Sequence, residues 1–240
     1  MSRTSPTNRS SAEASAKAMR SDGAEARCRL LDAALTLFAD KGFSKTSTRE
    51  IALAAQTNIA SISYYFGDKA GLYRAVFTDP RGQPPLLSDA LDGLTLNLPD
   101  ALAGLLRHFV EPLKQGHHHQ QQCMKLHFRE MLEPTGVWQE EIDSNIRPVH
   151  NALNDLLCRH LGVPAVDDDI RRLAFSITGL GIMLHVGGDV YAALRPELTN
   201  SPRALDVYLD RLLTYALAMV EAEARRRQAQ APQPPNDHQP

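Results

Sequence analysis

The chain has 240 residues, 43% of them apolar, and 26 Lys+Arg against 28 Asp+Glu give a net charge of −2. That is the composition of a globular protein with a sizeable buried core, and it carries no global sign of nucleic-acid binding. The charge is unevenly spread: residues 1–80 hold 11 basic against 8 acidic side chains (+3), and residues 81–240 hold 15 against 20 (−5). A mildly basic head on an acidic body suits a head that meets a polyanion.

Cys28, Cys123 and Cys158 are odd in number and far apart, which argues against a disulfide framework or structural zinc site and for a reducing cytoplasm. The first 26 residues are polar, without the apolar run of a secretory signal. The uncharged stretch from Leu173 to Gly188 contains four glycines and is too short to span a bilayer.

In chain order, residues 1–24 are Ser-, Ala- and charge-rich and are expected to be a disordered arm, as is the Gln/Pro tail 228–240. Everything between reads as helix, so the fold class is all-α. Leu30, Ala34, Leu37 and Phe38 form a helical stripe over about 25–41, widened by Leu31 and Leu35 and stopped by Gly42. Ser47 and Glu50 have the spacing of a capping box and open a second helix over about 48–55. A third starts after Asn58 and runs to Phe66, with Ile59, Ile62 and Phe66 expected to face inward; a fourth starts at Asp68. Three short helices, two of them joined by a tight turn at Gln56-Thr57, describe a helix-turn-helix unit over 25–78. The prolines and glycine of 79–85 break the chain.

The body, 90–227, holds apolar-periodic segments at about 99–115, 121–133, 137–161, 168–188 and 202–227, the third interrupted by Pro148. It is expected to bind a ligand and to dimerise. Gly179, Gly181, Gly187 and Gly188 would permit close helix approach, and Leu205, Leu209, Leu212, Leu213, Ala216 and Val220 would form an apolar stripe for a second copy.

The chemistry lies in the segment Thr57–Lys69, "TNIASISYYFGDK". If Ile62 and Phe66 turn inward, then Ala60, Ser61, Ser63 and Tyr64 turn outward. Small residues admit a helix into the DNA major groove, and hydroxyls and phenols hydrogen-bond to phosphates. Lys69 in a first helical turn opposes the helix dipole, which makes sense beside a bound anion.

The run "LLDAALTLFADKGFSKTSTREIALAAQTNIASISYYFGDKAGLYRAVF" resembles the N-terminal domain of TetR-family transcriptional regulators. The continuation "REMLEPTGVWQEEI" is similar to the CecR-type subgroup. The resemblance implies a homodimeric, ligand-responsive repressor that binds palindromic double-stranded DNA and is released by a small-molecule effector. By position it implies phosphate contacts from Ser61, Tyr64, Tyr65 and Lys69, a groove-facing surface at Ala60 and Ser63, and backbone contacts near Thr48 and Arg49. Gln56 departs from the family pattern, which has glycine at a turn position favouring positive φ.

In the body, Met124, His127, Phe128, Met131, Trp138, His150 and Met183 are the candidate ligand-lining residues, a mix of apolar groups with few polar ones. Arg129 suits either an anionic ligand or an ion pair with a neighbouring glutamate. The consecutive His117, His118 and His119 point about 100° apart on a helix and cannot share one metal ion. No catalytic motif is present, and Asp167–Asp169 reads as a helix cap, so neither an enzyme nor a bound cofactor is expected. The alternative reading is a helical small-molecule or metal-binding module without a DNA function.

Overall fold

The computed structural model describes residues 7–79, 81, 97–114 and 116–230; residues 1–6 of the arm, most of the breaking segment 79–85 and the last ten residues of the tail lie outside them. It is all-α, with no strand among the described residues. Contacts divide the chain into two compact units: residues 1–83 with 122–135, and residues 84–121 with 136–240.

In the first unit, α1 spans Thr7–Lys45, with Gly42 (φ 80, ψ 169) breaking the helical run. Residues 7–24 therefore continue α1, contrary to the expected disordered arm. Alanines at 12, 14, 16 and 18, the residue with the highest helix propensity, favour this extension. Leu30, Leu31, Ala34, Leu35, Phe38 and Ala39 bury the inner face of α1. The expected stop at Gly42 is present in the backbone, and the Thr46 hydroxyl, itself buried, donates to the Gly42 carbonyl at 2.8 Å.

Helices α2 (Thr48–Ala54), α3 (Ala60–Phe66) and α4 (Lys69–Phe77) all pack with α1, and α3 packs with both α2 and α4. Leu72, Tyr73, Val76 and Phe77 supply the buried face of α4.

Helix α5 spans Leu98–Val110 and α6 spans His118–Leu132. The sequence assigned the whole of α6 to the body. Instead, residues 122–135 group with the first unit. The cause is a set of long-range polar bonds invisible to local periodicity. Arg129 donates from Nε to the Ala39 carbonyl (3.2 Å) and from Nη2 to the Asp40 carbonyl (3.1 Å), and Lys125 pairs with Asp40 at 2.7 Å. Arg129 thus satisfies carbonyls left open where α1 breaks.

In the second unit, α5 packs against α8 (Arg147–Leu161), α9 (Asp168–Val186) and α11 (Pro202–Gln230). A short α7 (Trp138–Glu141) precedes α8 through a π-helical turn, Ile142–Ile146, just ahead of Pro148. This is how the segment accommodates that proline. Helix α10 (Gly188–Leu194) had no counterpart in the sequence reading, because paired glycines look like a helix end rather than a start. Asp167 caps α9, accepting from the Ile170 N–H at 2.9 Å, and pairs with Arg227 of α11 at 2.9 Å.

The expected dimer stripe is only partly available. Leu205, Leu212, Ala216 and Val220 are buried within the unit, on a helix packed against α5. Gly181 is also internal, since a Cβ there would lie 2.3 Å from Phe109. On these two helices the exposed large apolar groups include Phe175, Met183 and Val186 of α9 and Val207 and Tyr215 of α11. No single helix among the described residues is long and apolar enough to cross a membrane.

Candidate nucleic-acid interface

The local chemistry that sets α2 and α3 in place is explicit. Ser47 Oγ accepts from the Glu50 N–H at 3.2 Å while Glu50 Oε2 accepts from the Ser47 N–H at 3.0 Å, closing both halves of the capping box. Lys41 adds an ion pair to Glu50 at 2.9 Å. The Lys41 and Ser47 bonds hold the Glu50 carboxyl well below its usual range, at about 2. Thr48 and Arg49 form the first turn of α2, with Arg49 exposed and Thr48 half-buried.

The turn after α2 is closed by the Gln56 N–H to Leu53 carbonyl (3.1 Å) and Thr57 N–H to Ala52 carbonyl (2.9 Å) bonds. Gln56 has φ 53, the one positive-φ residue other than glycine among the described residues. The turn keeps its left-handed geometry and pays a steric cost for the side chain. Asn58 Oδ1 then accepts from the Ala60 N–H at 2.9 Å and starts α3.

On α3, Ile62 is 2% exposed and anchors the helix. Ala60 and Ser63 are exposed, Ser61 is half-buried, and Tyr64 is 81% exposed. One inward expectation is wrong: Ile59 is 49% exposed. With 100° per residue, Ser63, Ala60 and Tyr64 fall within an arc of about 100°, roughly opposite the buried Ile62. By the same count Ile59 lies about 60° from Ile62, so phase alone points it inward; it sits ahead of the first turn of α3, where helical phase no longer decides burial.

Tyr65 is half-buried, its ring edge-on to Tyr64 at 4.8 Å. It closely approaches α1, where a Cβ at Gly23 would meet its hydroxyl at 3.2 Å. Phe66 lies under the Arg27 guanidinium at 5.3 Å. Asp68 caps α4 by accepting from the Gly71 N–H at 2.7 Å, and Lys69 places its ammonium 4.3 Å from the Phe43 ring. Burial lowers the Lys69 pKa. The aromatic contact answers the unfavourable first-turn charge with a cation–π interaction.

The candidate ligand residues are divided between the two units. Met124, His127, Phe128 and Met131 belong to the first unit, while Trp138, His150 and Met183 belong to the second. His127 packs on Phe77 at 4.9 Å and Met131 is 37% exposed. In the second unit, His150 stacks on Phe175 at 4.3 Å, with burial holding its pKa down, and Met183 is 45% exposed. A group not anticipated is Asn154, 3% exposed, whose Oδ1 has no hydrogen-bond partner among the described residues. Among those residues no three His, Cys, Asp or Glu side chains converge to hold a metal ion.

The comparisons with known proteins agree with this architecture. The family described as "Bacterial regulatory proteins, tetR family" matches residues 30–76, and "HTH-type transcriptional dual regulator CecR, C-terminal domain" matches residues 98–222. The chain is 31% identical over 203 residues to the HTH-type transcriptional dual regulator CecR of Shigella flexneri, spanning 76% of this chain and 90% of that protein. Among solved structures, native NalD, the secondary repressor of the MexAB-OprM multidrug efflux pump in Pseudomonas aeruginosa, is similar with a TM-score of 0.60. Its identity is 21%, over 82% of this chain and 97% of NalD. A SmeT–triclosan complex aligns with a TM-score of 0.55 and 21% identity, over 79% of this chain and 90% of that one. At such identities the structures speak for the fold; the matched families and the CecR relative carry the assignment. The chain belongs to the TetR family of transcriptional regulators, CecR type, with an N-terminal helix-turn-helix DNA-binding domain and a helical C-terminal domain.

Proposed function

We propose that this regulator is a repressor, acting in the cytoplasm, that binds palindromic duplex DNA as a homodimer and releases it when a small molecule binds the C-terminal domain. The observation that carries the DNA reading is the exposed arc of α3 at Ala60, Ser63 and Tyr64, beside the capped first turn of α2. In this reading Ala60 and Ser63 enter the major groove, and Ser61, Tyr64, Tyr65 and Lys69 contact phosphates with Thr48 and Arg49. The dimer is supported by Phe175, Gly179, Met183 and Val186, which recur at helical spacing on α9 and are all exposed. Val207 and Tyr215 add a second exposed apolar strip on α11.

An effector is supported by analogy with SmeT, which has been solved with triclosan, and by the unpartnered Oδ1 of Asn154 inside an apolar helical unit. To empty the operator, the ligand must favour the released conformation by several kcal/mol.

The test is a fluorescence titration of duplex DNA at several salt concentrations. Each neutralised phosphate makes the slope of log affinity against log salt more negative by about 0.9. Tyr65→Ala and Lys69→Ala weaken binding to all sequences about equally. Unchanged affinity and slope in both variants would overturn the DNA assignment, and a monomer by sedimentation at micromolar concentration would overturn the dimer.

A further inference from the structure

Resting on the DNA-binding reading, we infer that the recognition helix reads thymine methyl groups, with Ile59 as the specificity-determining residue. Residues 59–66 are Ile, Ala, Ser, Ile, Ser, Tyr, Tyr and Phe, a run without one charged or carboxamide side chain. Bidentate recognition of guanine needs Arg or Lys, and that of adenine needs Asn or Gln. The body of α3 holds neither. Asn58, just before it, has its side-chain oxygen engaged with the Ala60 N–H at 2.9 Å.

The exposed surface presents Ile59, 49% exposed, and the methyl of Ala60, with Ser63 and Tyr64 four residues further on. Ile59 is not among the buried core residues; its carbonyl accepts from the Ile62 N–H at 3.1 Å, which fixes it as the residue immediately preceding the first turn of α3. An aliphatic side chain inserted among polar base edges would strip them of water without replacing the hydrogen bonds. The thymine C5-methyl is the apolar group that the major groove offers, so it is the partner that makes burial of Ile59 favourable. The exposed Arg49, at the first turn of the neighbouring α2, gives this apolar face a cationic flank suited to a phosphate backbone.

The experiment uses the full-length protein and duplexes recovered by it from a random-sequence library. In the tightest duplex, each thymine is replaced in turn by deoxyuridine, which keeps base pairing and the O4 acceptor and lacks the methyl. We expect at least one position per half-site where deoxyuridine weakens binding about three- to tenfold, the scale of one buried methyl contact. Ile59→Ala should bring the thymine-to-uracil ratio at that position close to one, and Ile59→Val should retain most of it. Because Ile59 is half-exposed, both variants should keep the wild-type circular dichroism. Equal binding of thymine and deoxyuridine duplexes at every position overturns the inference, as does an unchanged ratio in a folded Ile59→Ala protein. Failure to recover any duplex would instead overturn the DNA-binding reading on which it rests.

Discussion

Tyr73 donates its phenolic hydrogen to Glu130 across 2.6 Å, joining α4 to α6 through two side chains that are 1% and 0% exposed. The Glu130 carboxylate is further satisfied by the Thr135 backbone N–H at 2.7 Å and the Thr135 hydroxyl at 2.9 Å. Burial and the neighbouring carboxylate push the Tyr73 pKa far up, so the phenol remains a donor at all ordinary pH. Phe38, Phe43 and Phe77 surround the same ring edge-on, at 4.8, 5.0 and 5.1 Å. The helix that follows the recognition helix is therefore held to α6 by a charge-assisted bond in an aromatic shell.

Tyr73→Phe keeps that shell and removes the donor, leaving Glu130 buried with one bond fewer. A loss of a buried bond to a charged group costs about 1–3 kcal/mol. Thermal unfolding should show a Tm several degrees below wild type. A Tm within one degree of wild type would mean that the bond contributes nothing net.

Gln56 gives a prediction of opposite sign. A side chain at φ 53 costs roughly 1 kcal/mol relative to glycine, partly offset by the greater freedom of glycine in the unfolded chain. Gln56→Gly is expected to raise stability by somewhat under about 1 kcal/mol in denaturant melts. A lower midpoint would show that the Gln56 side chain makes contacts outweighing its strain.

These two positions also mark what was legible in the sequence. Local devices were readable because their partners sit within a few residues: the Ser47–Glu50 box, the break at Gly42, and the caps at Asp68 and Asp167. Gln56 was readable only through the family resemblance, which has glycine at that turn position. The Tyr73–Glu130 bond spans 57 residues and the Arg129–Ala39 bond 90, and no periodicity encodes such pairings. That is why the sequence left Arg129 open between an anionic ligand and a neighbouring glutamate; in the structure it pairs with Glu133. Ile59 was misplaced for a different reason: its phase matches the buried Ile62, but it sits ahead of the first turn of α3, where phase no longer decides burial.

The capping box predicts a pH dependence. Glu50 is held at about 2 against an ordinary 4.5, so its contribution to stability is complete above about pH 4.5 and lost as pH falls towards 2. Glu50→Gln, which lacks the titrating group, should lose less stability than wild type over that window. Parallel melts at pH 7, 4 and 3 check this; equal pH sensitivity of the two proteins would show that the box does not carry the acid response.

The glycines of α9 divide into two roles that substitution can separate. Gly181 lies under Phe109, where an added Cβ would approach a ring carbon to 2.3 Å, whereas a Cβ at Gly179 meets nothing within 4 Å. Gly181→Ala forces the ring to move, an overpacking cost of about 1–3 kcal/mol, and should lower Tm while leaving the oligomeric state unchanged. Gly179→Glu fits the isolated fold and replaces a poor helix former, yet it puts a carboxylate into the exposed stripe of Phe175, Met183 and Val186. In the proposed dimer that charge would be buried against apolar groups, so sedimentation should report a folded monomer with weakened operator binding. A dimer of unchanged affinity in Gly179→Glu would move the interface away from this face of α9. A monomer in Gly181→Ala would mean that the internal contact with Phe109 also shapes the dimer surface.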